Sequence, residues 1–227
     1  MLKAFLIVTL CCVYSLTANS NSAGLALVNT TNIYATKSDK TVAFPLVNYK
    51  YNNFYIKGLE FGYEVNQNLS VLLEPRLIGF DISGIEKRKD SLSSGLKVSY
   101  PISDFLLTLK VLADVNNVSN GYETKLKLSK RFIYDSFVVI PHIGLEWQDK
   151  KFSNYYYGTK SNESYGEYKV NMTLNKTVGF VSVYNINKKY ALSFMYKYID
   201  LDDDIVNSPI IIKNNQQTSI LSFMYKF

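Results

Sequence analysis

The segment FVVIPHIGLEW, residues 137–147, sorts its side chains onto two faces. One parity is wholly apolar and ends on Trp147, while the other carries His142, which is the chain's single histidine, and Glu146. A period of two predicts a β-strand with one apolar and one more polar face. A length of about 10 residues is what a tilted strand needs to cross a bilayer. The segment therefore predicts a membrane-spanning strand.

Other segments show the same period of two. The connections between them alternate between short turns and longer polar loops. This asymmetry between two ends is typical of an all-β, antiparallel up-and-down barrel of the outer membrane. Counting back from the C-terminus, with every long loop on one side, gives ten strands. They are predicted over 42–50, 54–65, 69–80, 91–100, 105–115, 122–133, 137–146, 177–186, 190–200 and 218–227. Twelve strands is the alternative, if 24–34 pairs and 168–174 forms a further strand.

A soluble β-sandwich would alternate too, but its strands often span about 5–6 residues. The predicted strands run to about 10–12, the length expected of a transmembrane strand. No stretch in the body of the chain is long and apolar enough to predict a spanning helix. Strand length therefore favours the membrane barrel over the sandwich.

The N-terminus, MLKAFLIVTLCCVYSLTANS, predicts a cleaved secretory signal peptide over 1–20, followed by one barrel domain over 21–227. Its apolar run follows Lys3 and is too short to span a membrane. Cleavage after Ala18 or Ala23 is the alternative. Both cysteines, Cys11 and Cys12, lie inside this segment. The predicted mature chain has no thiol to mispair in an oxidising compartment.

Charge and composition exclude several functions. The formal net charge of +6 is spread over interspersed bases and acids, so no nucleic-acid partner is expected. One histidine and no mature cysteine exclude a multi-His or Cys metal site, which leaves Asp202 to Asp204 as a carboxylate-only alternative to a solvated loop. We expect no cofactor and no catalytic residue, because His142 has no recognisable nucleophile and orienter in the sequence.

The polar parity of the strands predicts a charged lumen. Opposite charges in a narrow interior are stable only when paired, so they either plug the lumen or line a narrow polar path. The predicted lumen charges are Glu60, Glu64, Glu74, Arg76, Lys110, Asp114, Lys125, Lys127, Arg131 and Glu146.

Aromatic residues mark two further features. Phe223, Tyr225 and Phe227 alternate at the C-terminus, which resembles the assembly signal of bacterial outer-membrane proteins. Tyr155, Tyr156 and Tyr157 predict an aromatic rim at the lipid headgroups or a contact surface for sugar, peptide or protein.

Several short motifs occur in an order that resembles the MipA/OmpV family of outer-membrane proteins. They are Pro45-Leu46 with Tyr49, then Phe54-Tyr55-Ile56 with Gly58, then Gly62-Tyr63, then Tyr155-Tyr156-Tyr157-Gly158, and Ser208-Pro209 before the last strand. Asn207 stands where the family usually has Asp, which puts any role of that carboxylate in doubt.

The resemblance implies a non-enzymatic outer-membrane scaffold or adaptor linked to peptidoglycan-remodelling enzymes. The implied partners are a murein hydrolase, a peptidoglycan synthase, outer-membrane lipid and the assembly machinery of the outer membrane of a Gram-negative cell. The alternatives are a small porin or solute channel that uses the charged lumen, and an adhesin that binds through the long loops.

Overall fold

A computed structural model of the chain describes residues 21–35 and 39–227, and for Lys40 its backbone alone. The predicted signal peptide over 1–20 lies outside the described residues. Strands form one sheet in which each strand pairs antiparallel with its neighbours, and β1 pairs with the last strand to close the ring. The elements are β1 (Ser22–Thr30), β2 (Lys40–Tyr51), β3 (Phe54–Lys57), β4 (Glu60–Glu64), β5 (Leu69–Arg76), β6 (Ser91–Ile102), β7 (Phe105–Asp114), β8 (Tyr122–Lys130), β9 (Phe132–Tyr134), β10 (Phe137–Gln148), α1 (Lys150–Tyr157), β11 (Thr173–Asn185), β12 (Tyr190–Asp200), α2 (Asp203–Val206) and β13 (Asn215–Lys226).

The ring is a twelve-stranded barrel, because β8 and β9 pair with β10 in one continuous register and form a single wall strand. Pro141 of β10 lies opposite Lys130 in this register, at the end of β8. Since proline cannot donate to the ladder, the strand is interrupted at Arg131. The prediction of one strand over 122–133 is therefore correct except for this break.

The favoured count of ten is wrong and the alternative count of twelve is correct, although only one of its two added strands is the one expected. The first added strand is β1, which pairs with both β2 and β13. The second arises because the segment predicted as one strand over 54–65 folds back on itself as β3 and β4, which pair with each other. Gly58, at the tip between them, has φ of 60°, a left-handed conformation that glycine adopts without strain. Residues 168–172 form no strand, and β11 begins at Thr173.

The two ends of the barrel differ. At one end, which we call the turn end, the connections are residues 52–53, 65–68, 103–104, 135–136 and 186–189, and the two termini of the described barrel meet where Phe227 N–H donates to Asn21 O at 2.9 Å. At the other end, the loop end, the connections are 31–39, 77–90, 115–121, 149–172 and 201–214. The short β3–β4 tip lies part-way up the wall between them.

Alternation sets the two faces of the wall. Leu221 of β13 lies between Phe194 of β12 and Leu27 of β1 in the ladder, and all three side chains are exposed on the outside. On the inside, Ser193 and Ser222 lie opposite each other with hydroxyl oxygens 2.6 Å apart. The wall is thus apolar outside and carries polar groups inside, as a membrane barrel requires.

Because β3 has four residues and β4 five, they do not reach the loop end, and a gap remains in the ladder between β2 and β5. Only residues 48–51 of β2 pair with β3, and only residues 70–73 of β5 pair with β4. Above these, the facing edges of β2 and β5 pair with no strand of the described chain. We call this gap the seam.

A proline lies on each edge of the seam. Gly58 N–H, at the β3–β4 tip, donates to Val47 O, and Val65 N–H, in the β4–β5 turn, donates to Leu69 O. Backbone groups of alternate residues in a strand point to the same neighbouring strand. The odd-numbered residues of β2 therefore direct their N–H and C=O groups toward β3, and those of β5 direct theirs toward β4. Pro45 and Pro75 are odd-numbered, so the backbone nitrogen of each faces the seam and carries no hydrogen to donate. Proline at a free edge removes a donor that would lack a partner and hinders the addition of another strand.

Candidate functional site in the barrel lumen

The charged half of the lumen is built around Glu60 of β4, which is 2% exposed. Its carboxylate accepts hydrogen bonds from Lys97 Nζ at 2.6 Å and Tyr55 Oη at 2.8 Å, and it lies 2.5 Å from Lys110 Nζ. The Tyr55 ring covers Gly62 so closely that a Cβ at this glycine would collide with it. Three donors offset part of the cost of removing this carboxylate from water.

The ion pairs continue along the wall from Lys110, whose Nζ also lies 2.9 Å from Glu74 Oε2. Arg76 Nη1 donates to Glu74 Oε1 at 2.9 Å, and its other terminal nitrogen pairs with Glu123. Glu123 Oε1 in turn lies 2.6 Å from Lys125 Nζ. We call this set the lumen network; its members are Glu60, Lys97, Lys110, Glu74, Arg76, Glu123 and Lys125. Because each of its carboxylates contacts at least two bases, it fills its part of the lumen with paired charge.

A separate pair joins the opposite wall, where Lys197 Nζ of β12 lies 2.5 Å from Glu146 Oε1 of β10. His142, two positions from Glu146, is 6% exposed, and its Nε2 has no hydrogen-bond partner among the described residues. Its ring lies against Gly179, where a Cβ would come within 2.9 Å of it. A catalytic base needs hydrogen bonds to a nucleophile and to an orienting group, and the geometry around Nε2 supplies neither.

The remaining predicted lumen charges lie away from the network. Glu64 is at the turn end, 2.5 Å from Lys50 Nζ. Lys127 lines a cavity at the same end, and Arg131 is exposed there. The carboxylate of Asp114 accepts hydrogen bonds from four backbone N–H groups of the following loop, at 2.6–3.0 Å. It therefore stabilises the loop between β7 and β8 and does not line a polar path.

Sequence reasoning missed three members of this site. Glu123 and Lys97 share the inward parity of their strands, so the alternation could have revealed both. Tyr55 gave no comparable signal, because in a chain rich in aromatic residues a tyrosine is as compatible with the lipid-facing side of a strand as with the lumen. The rest of the lumen is packed with apolar side chains from β1, β2 and β10 to β13: Ala26, Val28, Leu46, Val138, Ile140, Val181, Val183, Ala191, Met195, Ile220 and Met224.

A cavity of about 610 Å³ lies inside the wall at the turn end, and we call it the vestibule. Its lining includes Lys57, Lys97 and Lys127 together with Glu64. Gln67 and Asn68, from the turn between β4 and β5, border it. Lys97 belongs also to the lumen network, so the vestibule ends where the paired charges begin.

The loop end is covered by a compact group of buried side chains, which we call the cap. They come from four long connections and the end of β12: Ile33, Tyr34, Phe80, Ile82, Ile85, Phe152, Tyr156, Tyr157, Val170, Ile199, Leu201, Ile205, Ile210 and Ile211. These side chains pack together into one cluster over the barrel mouth.

Tyr156 and Tyr157 belong to the cap and Tyr155 packs against it, whereas the sequence predicted a rim or a contact surface for all three. Tyr155, Tyr156 and Tyr157 form the last turn of α1, where Tyr156 is fully buried and Tyr157 is 8% exposed. The hydroxyl of Tyr156 lies 3.1 Å from Ser91 Oγ and donates to Lys89 O, also at 3.1 Å. The sequence pattern could not show this, because a helix inserted in a loop turns adjacent tyrosines in different directions.

An ion pair fastens two loops of the cap together. Arg88 Nη2 lies 3.1 Å from Glu163 Oε1, and both side chains are nearly fully buried. Burial alone would raise the pKa of Glu163, but backbone N–H groups of Lys160 and Glu86 and the charge of Arg88 hold this pKa below its usual value. The ionised carboxylate therefore stabilises the contact between loops 77–90 and 149–172.

We expect this contact to weaken in acid. Because the folded-state pKa of Glu163 lies below the unfolded value, its contribution is complete above the unfolded pKa and is lost as pH falls through the folded value, in the range below about pH 4. Hydrogen exchange in loops 77–90 and 149–172, corrected for intrinsic rates, should accelerate over this range while β6 and β7 stay protected. Glu163→Gln should raise exchange in these loops at neutral pH and remove the acid step; an unchanged acid step in this variant would contradict the assignment.

Asp202, Asp203 and Asp204 were the alternative prediction of a carboxylate-only metal site. The carboxylate of Asp202 instead accepts hydrogen bonds from the backbone. Asp202 precedes α2, and its carboxylate accepts from Asp204 N at 3.0 Å and from Leu174 N at 2.8 Å. Among the described residues no group of three or more His, Cys, Asp or Glu is arranged to hold a metal ion. Helix capping accounts for this carboxylate.

The C-terminal aromatics lie on the outside of the wall. Phe223 and Tyr225 of β13 pair with Leu192 and Tyr190 of β12, and Phe227 follows them at 62% exposure. Tyr190 stacks on Phe223 with ring centroids 5.6 Å apart. These rings form an apolar surface beside the strand that closes the barrel.

A closed antiparallel ring with an apolar outer wall and a charged lumen defines an integral β-barrel protein of the outer membrane. The model of the family MltA-interacting protein MipA matches residues 23–227, and the chain belongs to this family.

Named relatives agree with this family. The chain is 24% identical over 229 residues to the putative outer membrane protein YiaT of Escherichia coli O157:H7, covering 94% of this chain and 93% of that protein. It is 24% identical over 199 residues to the MltA-interacting protein of Escherichia coli K12, with 81% and 80% covered. It is also 25% identical over 149 residues to the outer membrane protein Omp26La of Vibrio anguillarum, a match that spans 64% of this chain and 58% of that protein. The localisation in the outer membrane follows from the barrel and these relatives.

Proposed function

We propose that the chain is a non-enzymatic outer-membrane adaptor that holds a peptidoglycan-remodelling enzyme at the periplasmic face of the membrane. The observation that carries this proposal is the asymmetry of the barrel, whose loop end is covered by the cap while the turn end holds an internal polar cavity. In an outer-membrane barrel the short turns face the periplasm. The surfaces offered to a periplasmic partner are then the turns and the vestibule.

A relative named for interaction with MltA supports a murein hydrolase as the partner. A peptidoglycan synthase as a second partner is part of the same proposal. The lack of a nucleophile and orienter around His142 favours an adaptor over a hydrolase acting within the barrel. A channel is disfavoured by the buried cap and by the paired charges of the lumen network.

Site-specific photo-crosslinking in native membranes tests the adaptor. A photoreactive residue at Lys188, in the turn between β11 and β12, should capture a murein hydrolase that mass spectrometry identifies. The same residue at Glu167, in loop 149–172, should capture none. A correctly folded barrel that yields no murein enzyme from any turn-end position would overturn the proposal, and open-channel currents from it in a planar bilayer would favour the channel instead.

We also propose that Phe227, with Phe223 and Tyr225, forms the signal read by the assembly machinery of the outer membrane. Deletion of Phe227 should lower the yield of membrane-inserted barrel several-fold, measured by heat-modifiable gel mobility, because the terminal ring beside the closing strand is lost. Deletion in the loop end, at Ile212, which is also an exposed apolar residue, serves as the control. Normal yield without Phe227 would contradict the proposal.

A further inference from the structure

The inner face of the barrel carries an excess of positive charge. We count the charged residues whose position in the alternation directs the side chain into the lumen, among the described side chains of the strands together with Arg131. There are ten bases and six acids. The bases are Lys50, Lys57, Lys97, Lys110, Lys125, Lys127, Lys197, Lys226, Arg76 and Arg131, and the acids are Glu60, Glu64, Glu74, Asp114, Glu123 and Glu146. Asp114 is the last residue of β7 and lies at the loop end, so its charge is remote from the turn end.

This excess is concentrated at the turn end. The acids deep in the lumen lie in the network or opposite Lys197, where each contacts one or more bases. The vestibule, by contrast, is lined by Lys57, Lys97 and Lys127 and by one acid, Glu64, whose carboxylate lies 2.5 Å from Lys50 Nζ. The vestibule is therefore a positively charged concavity whatever contacts its lysines make within the protein.

The shape of the vestibule suits a bound solute. A volume of about 610 Å³ is within the range of small-ligand sites, roughly 300–1,000 Å³. Ser70, Ser99, Asn68 and Gln67 add hydroxyl and amide groups to the lysines on its lining. Convergent ammonium groups in a concave site of reduced dielectric attract anions more strongly than the same lysines would on an open surface.

The inner limit of the vestibule is rigid. Lys97 Nζ is fixed by Glu60 Oε1 at 2.6 Å and by Tyr55 Oη at 2.6 Å, so its position does not depend on a ligand. The cap covers the opposite end of the barrel. A solute that enters from the turns therefore meets a blind cavity, which is the geometry of a binding site rather than of a conducting path.

From the charge excess and this geometry we infer that the vestibule binds an anionic group, a carboxylate or a phosphate, carried by a periplasmic solute. The lysine side chains donate charge-assisted hydrogen bonds to the anion, and the neighbouring hydroxyl and amide groups complete its shell. This site is independent of the adaptor role, because it needs no protein partner.

Isothermal titration calorimetry tests the site on the full barrel, refolded in a non-ionic detergent and checked by heat-modifiable mobility. The probes are inorganic phosphate and succinate, titrated separately. We expect saturable binding of at least one probe, weakened by added sodium chloride. Binding of phosphate alone identifies a phosphate-bearing solute, and binding of succinate alone identifies a carboxylate-bearing one.

The variant pair Lys57→Gln with Lys127→Gln should weaken binding roughly tenfold or more, because each lysine lost removes a charge-assisted hydrogen bond. The matched control is Lys188→Gln with Lys189→Gln, which removes the same charge from an exposed turn at the same end. Absence of saturable binding by the folded, unsubstituted barrel would overturn the inference. So would an equal loss of affinity in the control variant, since the lysines of the vestibule would then have no special role.

Discussion

Replacement of Glu60 by Gln should lower the free energy of unfolding of the barrel by about 3–5 kcal/mol, the usual cost of breaking a buried ion pair by removing one partner. The substitution keeps the size of the side chain but removes the charge that Lys97 and Lys110 face at 2.6 Å and 2.5 Å. Both ammonium groups would remain in the lumen with less compensation. Urea unfolding of the barrel in lipid vesicles, followed by heat-modifiable mobility, measures the difference.

Glu64→Gln is the matched control, because it changes the same chemical group on the same strand. Glu64 and its partner Lys50 are partly exposed, with side-chain exposures of 29% and 46%. An exposed pair of this kind contributes about 0–1 kcal/mol. Equal losses in the two variants would contradict the view that the lumen network is a buried structural element.

Replacement of Tyr156 by Ala should open the cap without unfolding the barrel. Truncating a fully buried aromatic residue costs about 3–5 kcal/mol, and this loss falls on the contacts among the loops. Because local opening controls cleavage of a folded protein, proteolysis within loop 149–172 should accelerate on the order of a hundredfold. Limited trypsin digestion of the purified barrel, with mass mapping of the first cuts, measures this rate.

Tyr156→Phe separates the ring from the hydroxyl. It retains the packing with Phe152, whose ring centroid lies 4.9 Å away, and removes only the hydrogen bond to Lys89 O and the contact with Ser91. The expected loss is about 1 kcal/mol. If the Ala variant were cleaved no faster than the Phe variant, the ring would not hold the cap together.

The direction of side chains in the wall could be predicted from the sequence, because it depends only on alternation. In the segment at 137–147, Trp147 lies outside and Glu146 inside, as their parities require. Strand ends were also close where a turn is short; the strand over Tyr190–Asp200 was predicted with the same bounds. These features are local, and a single sequence contains them.

The strand count could not be predicted in the same way. A turn at Gly58 splits the segment predicted as one strand over 54–65, and the inward parity shifts by one residue across it, from Lys57 in β3 to Glu60 in β4. Phe61 and Tyr63 face the lipid beyond the turn. A β-bulge in one continuous strand would shift the parity in the same way. Periodicity does not record a reversal of direction, and Gly58 alone is a weak signal of one. The seam follows from the same split, so it was invisible too, although Pro45 and Pro75 are residues that a central strand would not accept.

The partners of the charged residues also lay beyond sequence reasoning. Alternation places Glu74 and Lys110 on the inward side, but the strands that carry them, β5 and β7, are separated by β6, and only the curvature of the closed barrel brings the two side chains within 2.9 Å. The burial of Tyr156 depends likewise on how four loops meet over the barrel mouth. Long-range packing of this kind leaves no local pattern.

The most direct test of the account is whether the lumen opens to the periplasm and is closed to the outside. Residues 21–227 contain no cysteine, so a single engineered thiol can be followed by comparison with the unsubstituted chain. Gln67→Cys places it on the vestibule lining and Glu167→Cys on an exposed loop at the other end. With a maleimide too large to cross the outer membrane, the account predicts that intact cells label Glu167→Cys alone and that Gln67→Cys labels only after permeabilisation; labelling of Gln67→Cys in intact cells at a comparable rate would contradict it.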